Sequence, residues 1–289
     1  MHLTRIMIPT DFSETADHAE AQAIALARRY HSQLLLFHAL EPYGEPPAHL
    51  SPAVRDHLDQ LELEADTTLS TKVDALRSSG MNVSYATSRN VPPAVGIADA
   101  VGTYEPNLIV IGTHGRLGFQ RFLLGSVAEK LLRTVPVSVL SLNREAPLVE
   151  ADRSHARILV PIDFSEYSRR ALDAAFALLA QDGVLHVVHV VHEPVHPRFY
   201  PGGFAPAAVG PPVISLVEQQ LTEWLGERRA VRDVRVGDPF HQILEAQKET
   251  NAELVVMGTR GLTGLEHALL GSVSERIVRR SPVPVLTVH

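Results

Sequence analysis

Short runs of consecutive apolar residues alternate along this chain with longer segments whose apolar residues recur at helical spacing. Residues 6–8, 34–37 and 108–111 are apolar without interruption, as expected of strands that are covered on both faces. Residues 13–30 and 55–79 instead gather their apolar side chains along one helical face. Strands that alternate with helices predict a parallel sheet with helices on both faces, which is a doubly wound α/β unit.

The same pattern predicts five strands in each half of the chain. In the first half, strands are predicted at residues 6–8, 34–37, 82–87, 108–111 and 137–142, with helices at 13–30, 55–79, 94–104 and 127–134. In the second half, strands are predicted near residues 158–161, 185–191, 231–236, 254–257 and 283–288. Each half therefore has enough elements for a complete α/β domain.

The second half of the chain repeats the first. Residues 5–14 (RIMIPTDFSE) and 157–166 (RILVPIDFSE) are identical at seven of ten positions. Residues 112–129 (GTHGRLGFQRFLLGSVAE) and 258–275 (GTRGLTGLEHALLGSVSE) are identical at ten of eighteen. Two repeats of this length indicate a duplicated domain, because a solenoid stacks several shorter repeats.

A polar segment separates the two repeats. Residues 143–155 contain a proline and show no sustained hydrophobic period, which is typical of a linker. The predicted domains are therefore residues 1–146 and 154–289. Within the second domain, residues 194–212 are rich in proline and glycine and are predicted to form an extended excursion.

The strongest chemical signal is a glycine pattern that follows the fourth strand of each half. It reads G-x-x-G, nine residues, then G-S, and its members are Gly112, Gly115, Gly125 and Ser126 in the first half and Gly258, Gly261, Gly271 and Ser272 in the second. Glycines let the backbone approach an anion, and a helix N-terminus favours negative charge. Because the spacing occurs twice, we interpret it as a phosphate-binding loop.

The alternative is that these glycines only form turns and these serines only cap helices. Ser126 stands three residues before Glu129, and Ser272 three residues before Glu275, which is the capping-box pattern and predicts both serines as N-caps. Neither copy has a lysine before the serine, so the loop is not a Walker P-loop, and no strand-to-helix turn carries G-x-G-x-x-G.

A second signal is an acidic residue at the end of the first strand of each half. The residues concerned are Pro9, Thr10 and Asp11 and their counterparts Pro161, Ile162 and Asp163. Open α/β sheets bind ligands beyond the carboxyl ends of their strands, so each aspartate is predicted to face the same cleft as the glycine loop. The alternative is an aspartate that only starts the following helix.

The composition narrows the chemistry further. The 289 residues carry a formal net charge of −7, which argues against generic binding to nucleic acids or anionic membranes. The chain has no cysteine, which excludes disulfides, thiolate nucleophiles and cysteine-ligated metals. No signal peptide is visible and no apolar run approaches the ~20 residues of a spanning helix, so a cytoplasmic protein is expected.

Histidine is the remaining candidate for metal chemistry, because neutral imidazole is a common zinc ligand. Four histidines fall within eleven residues of one another: His186, His189, His192 and His196. Strand alternation places His186 and His192 on one face and His189 on the other, so one tetrahedral site does not easily use all of them. Scattered strand and loop histidines are the favoured interpretation, with a metal site as the alternative.

Together the glycine pattern, the strand-one aspartate and a closing Pro-Val-x-Val-Leu stretch resemble the universal stress protein family, in its ATP-binding subgroup. The closing stretches are residues 136–140 and 282–286, so the resemblance covers both halves of the chain, as in a tandem universal stress protein. It implies a five-stranded parallel sheet in the order 3-2-1-4-5 in each domain. One departure is Asn90, where the family often has glycine and the second domain keeps Gly237.

The resemblance also implies binding residues. Asp11 and Asp163 would contact the adenosine end of ATP, and the backbone of Ala39 and Val190 would contact adenine. The residues implied to hold ribose and phosphates are Gly112, Gly115, Gly125, Ser126 and Val127 in the first domain and Gly258, Gly261, Gly271, Ser272 and Val273 in the second.

The expected function is that of a cytoplasmic stress-response regulator that binds ATP with Mg²⁺ in each domain and is not an efficient enzyme. Two alternatives stay open: a slow ATPase or another adenine-nucleotide enzyme, and a scaffold that binds a metal or no ligand. The closing strands are expected at sheet edges, which favour pairing with another strand. The two domains are therefore expected to pair as a pseudo-dimer within the chain, or with further copies as a homo-oligomer.

Overall fold

Strands and helices alternate through the described part of the chain, which in this computed structural model comprises residues 3–41, 51–113, 124–148, 155–192, 211–260 and 270–289. Contacts divide the chain into two units, His2–Arg153 and Ser154–His289, called the first and second domains below. Among the helices of these described residues, none is long and apolar enough to cross a lipid bilayer.

The first domain contains β1 (Arg5–Pro9), α1 (Glu14–Tyr30), β2 (Gln33–Leu40), α2 (Pro52–Ser78), β3 (Val83–Arg89), α3 (Pro93–Tyr104), β4 (Leu108–Gly112), α4 (Ser126–Thr134) and β5 (Ser138–Leu142). The strands pair in parallel in the order β3-β2-β1-β4-β5. With right-handed crossovers, this order places α1 and α2 on one face of the sheet and α3 and α4 on the other. Consistent with that placement, α3 packs against α4.

The second domain contains β6 (His155–Ile162), α5 (Glu166–Leu178), β7 (Leu179–Val191), α6 (Pro211–Leu225), β8 (Val231–Val236), α7 (Pro239–Thr250), β9 (Leu254–Gly258), α8 (Ser272–Arg280) and β10 (Val285–Val288). Its strands are again parallel, in the order β8-β7-β6-β9-β10. The two domains therefore share one topology, as the sequence repeat predicts.

The strand β7 begins earlier than its apolar pattern predicts. The prediction placed it at residues 185–191, but it starts at Leu179, directly after α5. His155 pairs with Leu179, and the register then shifts before Arg157 pairs with Val184. A bulge of this kind lets polar residues join the strand outside the apolar run on which the prediction rested.

The central strands are buried on both faces, as their uninterrupted apolar sequence predicts. Ile6, Met7 and Ile8 of β1 have no exposed surface, and neither do Val255 and Val256 of β9. Full burial of one such side chain stabilises the fold by about 1.5–3 kcal/mol. The predicted class, a doubly wound parallel α/β domain present twice, is confirmed by the strand order and this burial.

The two domains differ where α2 packs beside α1 and α6 beside α5. In the first domain the Lys72 ammonium donates hydrogen bonds of 2.8 Å to Asp17 and to Glu20. Burial alone would lower the pKa of Lys72, but these two carboxylates hold that pKa above its usual value. In the second domain Trp224 takes the equivalent position, and the Arg169 guanidinium stacks 4.1 Å from the centre of its ring.

Candidate functional site

The two sequence motifs of each domain meet at the carboxyl ends of the two central strands of its sheet, where the strand order reverses. Asp11 follows β1 by two residues, and Gly112 is the last residue of β4. Asp163 directly follows β6, and Gly258 is the last residue of β9. Because β1 pairs with β4 and β6 pairs with β9 in parallel, the aspartate and the start of the glycine loop lie side by side. This reversal point is where open α/β sheets bind ligands.

Each aspartate shapes the turn that leads into the following helix. Asp11 Oδ1 accepts a hydrogen bond of 3.1 Å from the Ser13 amide. Asp163 Oδ1 accepts bonds from the Ser165 amide at 3.0 Å and from the Ser165 hydroxyl at 2.6 Å. The serines, not the aspartates, are the N-caps of α1 and α5. The aspartates therefore do not cap these helices, and their hydrogen bonds stabilise the turn before each helix.

A strained phenylalanine follows each aspartate and packs on a histidine. Phe12 and Phe164 have φ angles of 60° and 66°, in the left-handed region that bulky residues rarely adopt. Such a conformation costs of the order of 1–3 kcal/mol and persists only where its surroundings hold it. The Phe12 ring lies 4.6 Å from the ring of His38, and the Phe164 ring lies 4.7 Å from that of His189.

The same two histidines are bonded to the main chain before each aspartate. His38 Nδ1 lies 2.8 Å from the Thr10 carbonyl oxygen, and His189 Nδ1 lies 2.8 Å from that of Ile162. These His–Phe pairs, defined as His38 with Phe12 and His189 with Phe164, were not predicted from the sequence. The signal was present, because Asp-Phe-Ser is identical in both halves and a histidine stands late in the second strand of each.

Ala39 and Val190 lie beside the aspartate turns. Each directly follows the histidine of its His–Phe pair and is half-buried. In the first domain Pro9 is the register partner of Phe37, two residues before Ala39, and the second domain repeats this pairing at Pro161. The strand ends that carry the predicted adenine contacts are therefore adjacent to those that carry the aspartates.

The glycine loops are described at their two ends only, because Gly115 and Gly261 lie outside the described residues. At the far end, the Gly125 amide donates to the Thr113 carbonyl oxygen at 2.7 Å. The Gly271 amide makes the equivalent bond to Thr259, also at 2.7 Å. Each loop therefore returns to the end of the strand that it left, and the start of α4 or α8 lies beside that strand end.

The predicted capping boxes are wrong. The N-caps of α4 and α8 are Gly125 and Gly271, and neither helix has a side-chain cap. The Gly125 carbonyl oxygen already accepts the Glu129 amide at 2.9 Å, so the helix begins one residue earlier than predicted. Ser126 is then the first helical residue, and Glu129 forms an ion pair along the helix with Arg133 at 3.4 Å.

These two helices differ from four others that begin in the described residues, although α3, whose N-cap is Pro92, also lacks a side-chain cap. The starts of α1, α2, α5 and α7 are capped by the side chains of Ser13, Ser51, Ser165 and Asp238. In α4 and α8 the first-turn amides face no cap, and Ser126 and Ser272 are exposed. Unpaired amides at a helix N-terminus, together with the helix dipole, form a binding place for an anion.

The described glycines of the motif differ in whether the fold has room for a side chain at their position. A Cβ atom on Gly258 would lie 2.7 Å from Tyr167 Cβ and 2.9 Å from its carbonyl carbon, and one on Gly112 would lie 2.6 Å from Thr15 Cγ2. Close packing of the first helix on the strand end therefore requires these two glycines. A Cβ on Gly271 would meet only ordinary contacts, the nearest at 3.5 Å, and its φ of −71° suits any residue. Nothing in the described fold requires a glycine at 271.

The one departure from the family pattern has a simple structural outcome. Asn90 has a φ of 59°, and Gly237 at the equivalent position has a φ of 138°. Asparagine is among the non-glycine residues that tolerate the left-handed region best. The first domain therefore makes its turn after β3 without glycine.

The second domain carries a fixed positive charge just beyond β9. Arg260 Nη1 donates to the Tyr167 hydroxyl oxygen at 3.2 Å. Burial, and then the charge of Arg260, lower the pKa of His289 to about 4, so the neighbouring imidazole is neutral near pH 7. The corresponding residue of the first domain, His114, lies outside the described residues. Arginine stays charged at any physiological pH, which favours an anion on this side of the second site.

The clustered histidines that the structure describes occupy separate positions: His186 and His189 lie in β7, and His192 directly follows it. His189 belongs to its His–Phe pair, and His192 is exposed. Burial, and then Arg157, lower the pKa of half-buried His186. His196 lies outside the described residues. Within the described ranges, no three histidine, aspartate or glutamate side chains come together in a way that could hold a metal ion.

Comparisons with known proteins match both halves of the chain. A sequence model of the Universal stress protein family matches residues 2–142 and 155–289. A universal stress protein of Mycobacterium tuberculosis is 33% identical over 218 residues, which span 74% of this chain and 70% of that protein. One from Bacillus subtilis is 34% identical over 145 residues, which span 46% of this chain and 98% of that protein.

A solved structure shows the same fold. The crystal structure of a universal stress protein from Archaeoglobus fulgidus matches with a TM-score of 0.70 and covers 100% of this chain and 99% of its own. The two sequences are 23% identical in that match, so the likeness concerns the fold alone.

Proposed function

Since the chain belongs to the universal stress protein family, a family of stress-response proteins, we propose that it is a cytoplasmic regulator that binds one ATP, with Mg²⁺, in each of its two domains. The single observation that carries the proposal is the pair of helices α4 and α8, which begin at a glycine and lack a side-chain cap. ATP occupancy is then the state that a partner protein senses.

The helix starts suit the phosphates of a nucleotide. The amides of Ser126 and Val127, and of Ser272 and Val273, belong to the first turn of an uncapped helix and are donors for phosphate oxygens. At Gly271, where the fold does not require a glycine, the missing side chain leaves room for a phosphate to approach the backbone.

The neighbouring strand ends suit the adenosine. Asp11 and Asp163 lie at the reversal point of their sheets, beside the strands that carry Ala39 and Val190. A carboxylate accepts hydrogen bonds from ribose hydroxyls or an adenine amino group, and backbone groups of the second strand pair with the polar edge of a base. The phosphate and adenosine ends of one nucleotide therefore map onto adjacent strand ends in each domain.

The direct test is the stoichiometry of ATP binding. Calorimetric titration of nucleotide-free protein with ATP and Mg²⁺ is expected to saturate at two molecules per chain, because both domains keep the uncapped glycine helix start. Saturation at one molecule would contradict the assignment in one domain, and no binding would contradict the proposal as a whole. Release of ADP over many turnovers would instead favour an enzyme.

The chain has one tryptophan, Trp224, and its fluorescence should report on ATP binding in the second domain alone. The Trp224 ring lies 6.1 Å from the ring of Phe164, edge to face, and Phe164 directly follows Asp163. ATP binding is expected to change Trp224 fluorescence, because contact with Asp163 shifts this turn. The change should disappear in Gly271→Val and persist in Gly125→Val. An unchanged response in Gly271→Val would contradict the location of the second site.

Ser126→Ala is expected to weaken ATP binding only mildly. One neutral hydrogen bond is worth roughly 0.5–1.5 kcal/mol, or about two- to tenfold in affinity. Because Ser126 is not the N-cap of α4, the thermal midpoint of unfolding should stay unchanged. Thermal unfolding beside calorimetry checks both parts, and a loss of stability would show that the hydroxyl does support the helix.

A further inference from the structure

The His–Phe pairs recur in both domains although the residues around them differ. The carbonyl that the histidine contacts belongs to Thr10 in one domain and to Ile162 in the other. The residue after the histidine is Ala39 in one domain and Val190 in the other. Even so, the hydrogen bond is 2.8 Å in both copies and the ring separation differs by only 0.1 Å, 4.6 Å against 4.7 Å.

The hydrogen bond fixes the chemistry of each imidazole. A main-chain carbonyl oxygen only accepts, so Nδ1 of His38 and of His189 must carry the proton and donate it. Each histidine therefore holds the main chain directly before an aspartate. Its ring also packs against the phenylalanine directly after that aspartate, whose backbone is in the left-handed region.

Each histidine thus joins two strands of the candidate site. It belongs to β2 or β7 and directly precedes Ala39 or Val190. Its ring is hydrogen-bonded to the main chain at the end of β1 or β6 and packs on the phenylalanine of the turn that follows. The two strand ends at which the proposed adenosine contacts lie are held at one separation by this side chain. The uncapped starts of α4 and α8, where the phosphates are proposed to bind, are not part of the strands that the histidine joins.

We propose that His38 and His189 are positioning residues for the adenosine end of the bound nucleotide, acting through the aspartate turn and not on the phosphates. This inference rests on the proposed function, because it assigns a role within the same two sites. It predicts that losing the Nδ1 donor weakens recognition of adenosine and leaves recognition of a phosphate chain intact.

The test compares two amide replacements made in both domains at once. Asparagine places its side-chain NH₂ where histidine has Nδ1, whereas glutamine places it near Nε2. His38→Gln with His189→Gln is expected to weaken ATP binding by more than twofold and up to about tenfold per site, the value of a lost hydrogen bond. His38→Asn with His189→Asn should stay within about twofold of the unsubstituted chain. Tripolyphosphate, which has no adenosine, should bind all three proteins alike.

Circular dichroism establishes that each protein is folded, and the single variants His38→Gln and His189→Gln replace the double variant if it does not fold. Equal ATP affinity in the glutamine and unsubstituted proteins would overturn the positioning role. Equal weakening by asparagine and glutamine, or a parallel loss of tripolyphosphate binding, would overturn it too. If the unsubstituted chain binds tripolyphosphate but shows no preference for ATP, the proposed function itself fails, and this inference with it.

Discussion

Gly271→Val is expected to remove ATP binding from the second domain while the domain stays folded. The backbone there has φ −71° and ψ 150°, an extended conformation that valine adopts readily. A new Cβ atom would meet the Thr259 carbonyl oxygen at 3.5 Å and Ser274 Oγ at 3.8 Å, which are ordinary contacts. The cost to the fold is the poorer N-cap, about 1 kcal/mol or less. A phosphate bonded to the first-turn amides of α8 needs the space that the valine side chain would fill.

The measurement is the stoichiometry and affinity of ATP by calorimetry, beside circular dichroism for the fold. Gly271→Val should lower the stoichiometry from two to one per chain, and Gly125→Val with Gly271→Val should lower it to zero. Gly102→Ala, an exposed glycine of α3 with open space around its Cβ position, is the control and should bind as the unsubstituted chain does. A folded double variant that still binds two ATP would show that these glycines only form turns.

The strands follow from local sequence and their order from the family resemblance, whereas the contacts at the site follow from neither. Runs such as residues 108–111 are apolar throughout and too short for a typical helix, which favours a strand buried in a parallel sheet. The pairing of Phe12 with His38 joins residues 26 positions apart, on different elements, so no local period reports it. Repetition in both halves was the only sequence signal for it.

The start of α4 shows a second limit of sequence reasoning. The spacing of Ser126 and Glu129 fits a capping box, but the pattern does not say which residue has the last non-helical backbone. The bond from Gly125 to Thr113 fixes the loop at the strand end and brings the helix start forward to the glycine. A tertiary contact therefore overrides the local signal, and the helix begins without a side-chain cap.

In the second domain the first and the last glycine of the motif, Gly258 and Gly271, also look alike in the sequence and differ in the structure. Gly258 lies against the first turn of α5, where a Cβ atom has no room, whereas Gly271 lies where a Cβ atom fits. One glycine therefore serves the packing of the domain, and we propose that the other serves the ligand. A side chain at Gly258 is therefore expected to lower stability, and a large side chain at Gly271 is expected to lower ATP binding.

Gly258→Ala is accordingly expected to destabilise the second domain. Its Cβ atom would lie 2.7 Å from Tyr167 Cβ and 2.9 Å from the Tyr167 carbonyl carbon, and neither atom belongs to a flexible side-chain end that could move aside. Such overpacking costs about 1–3 kcal/mol, or a fall of roughly 3–10 °C in the thermal midpoint for a domain of this size. Calorimetric unfolding without nucleotide measures it. Gly271→Ala in the same domain is the matched control, and its midpoint should fall by about 3 °C or less, and by less than that of Gly258→Ala. Equal midpoints for the two variants would contradict the distinction, because the strand end and the first turn of α5 would then have room for the extra carbon atom.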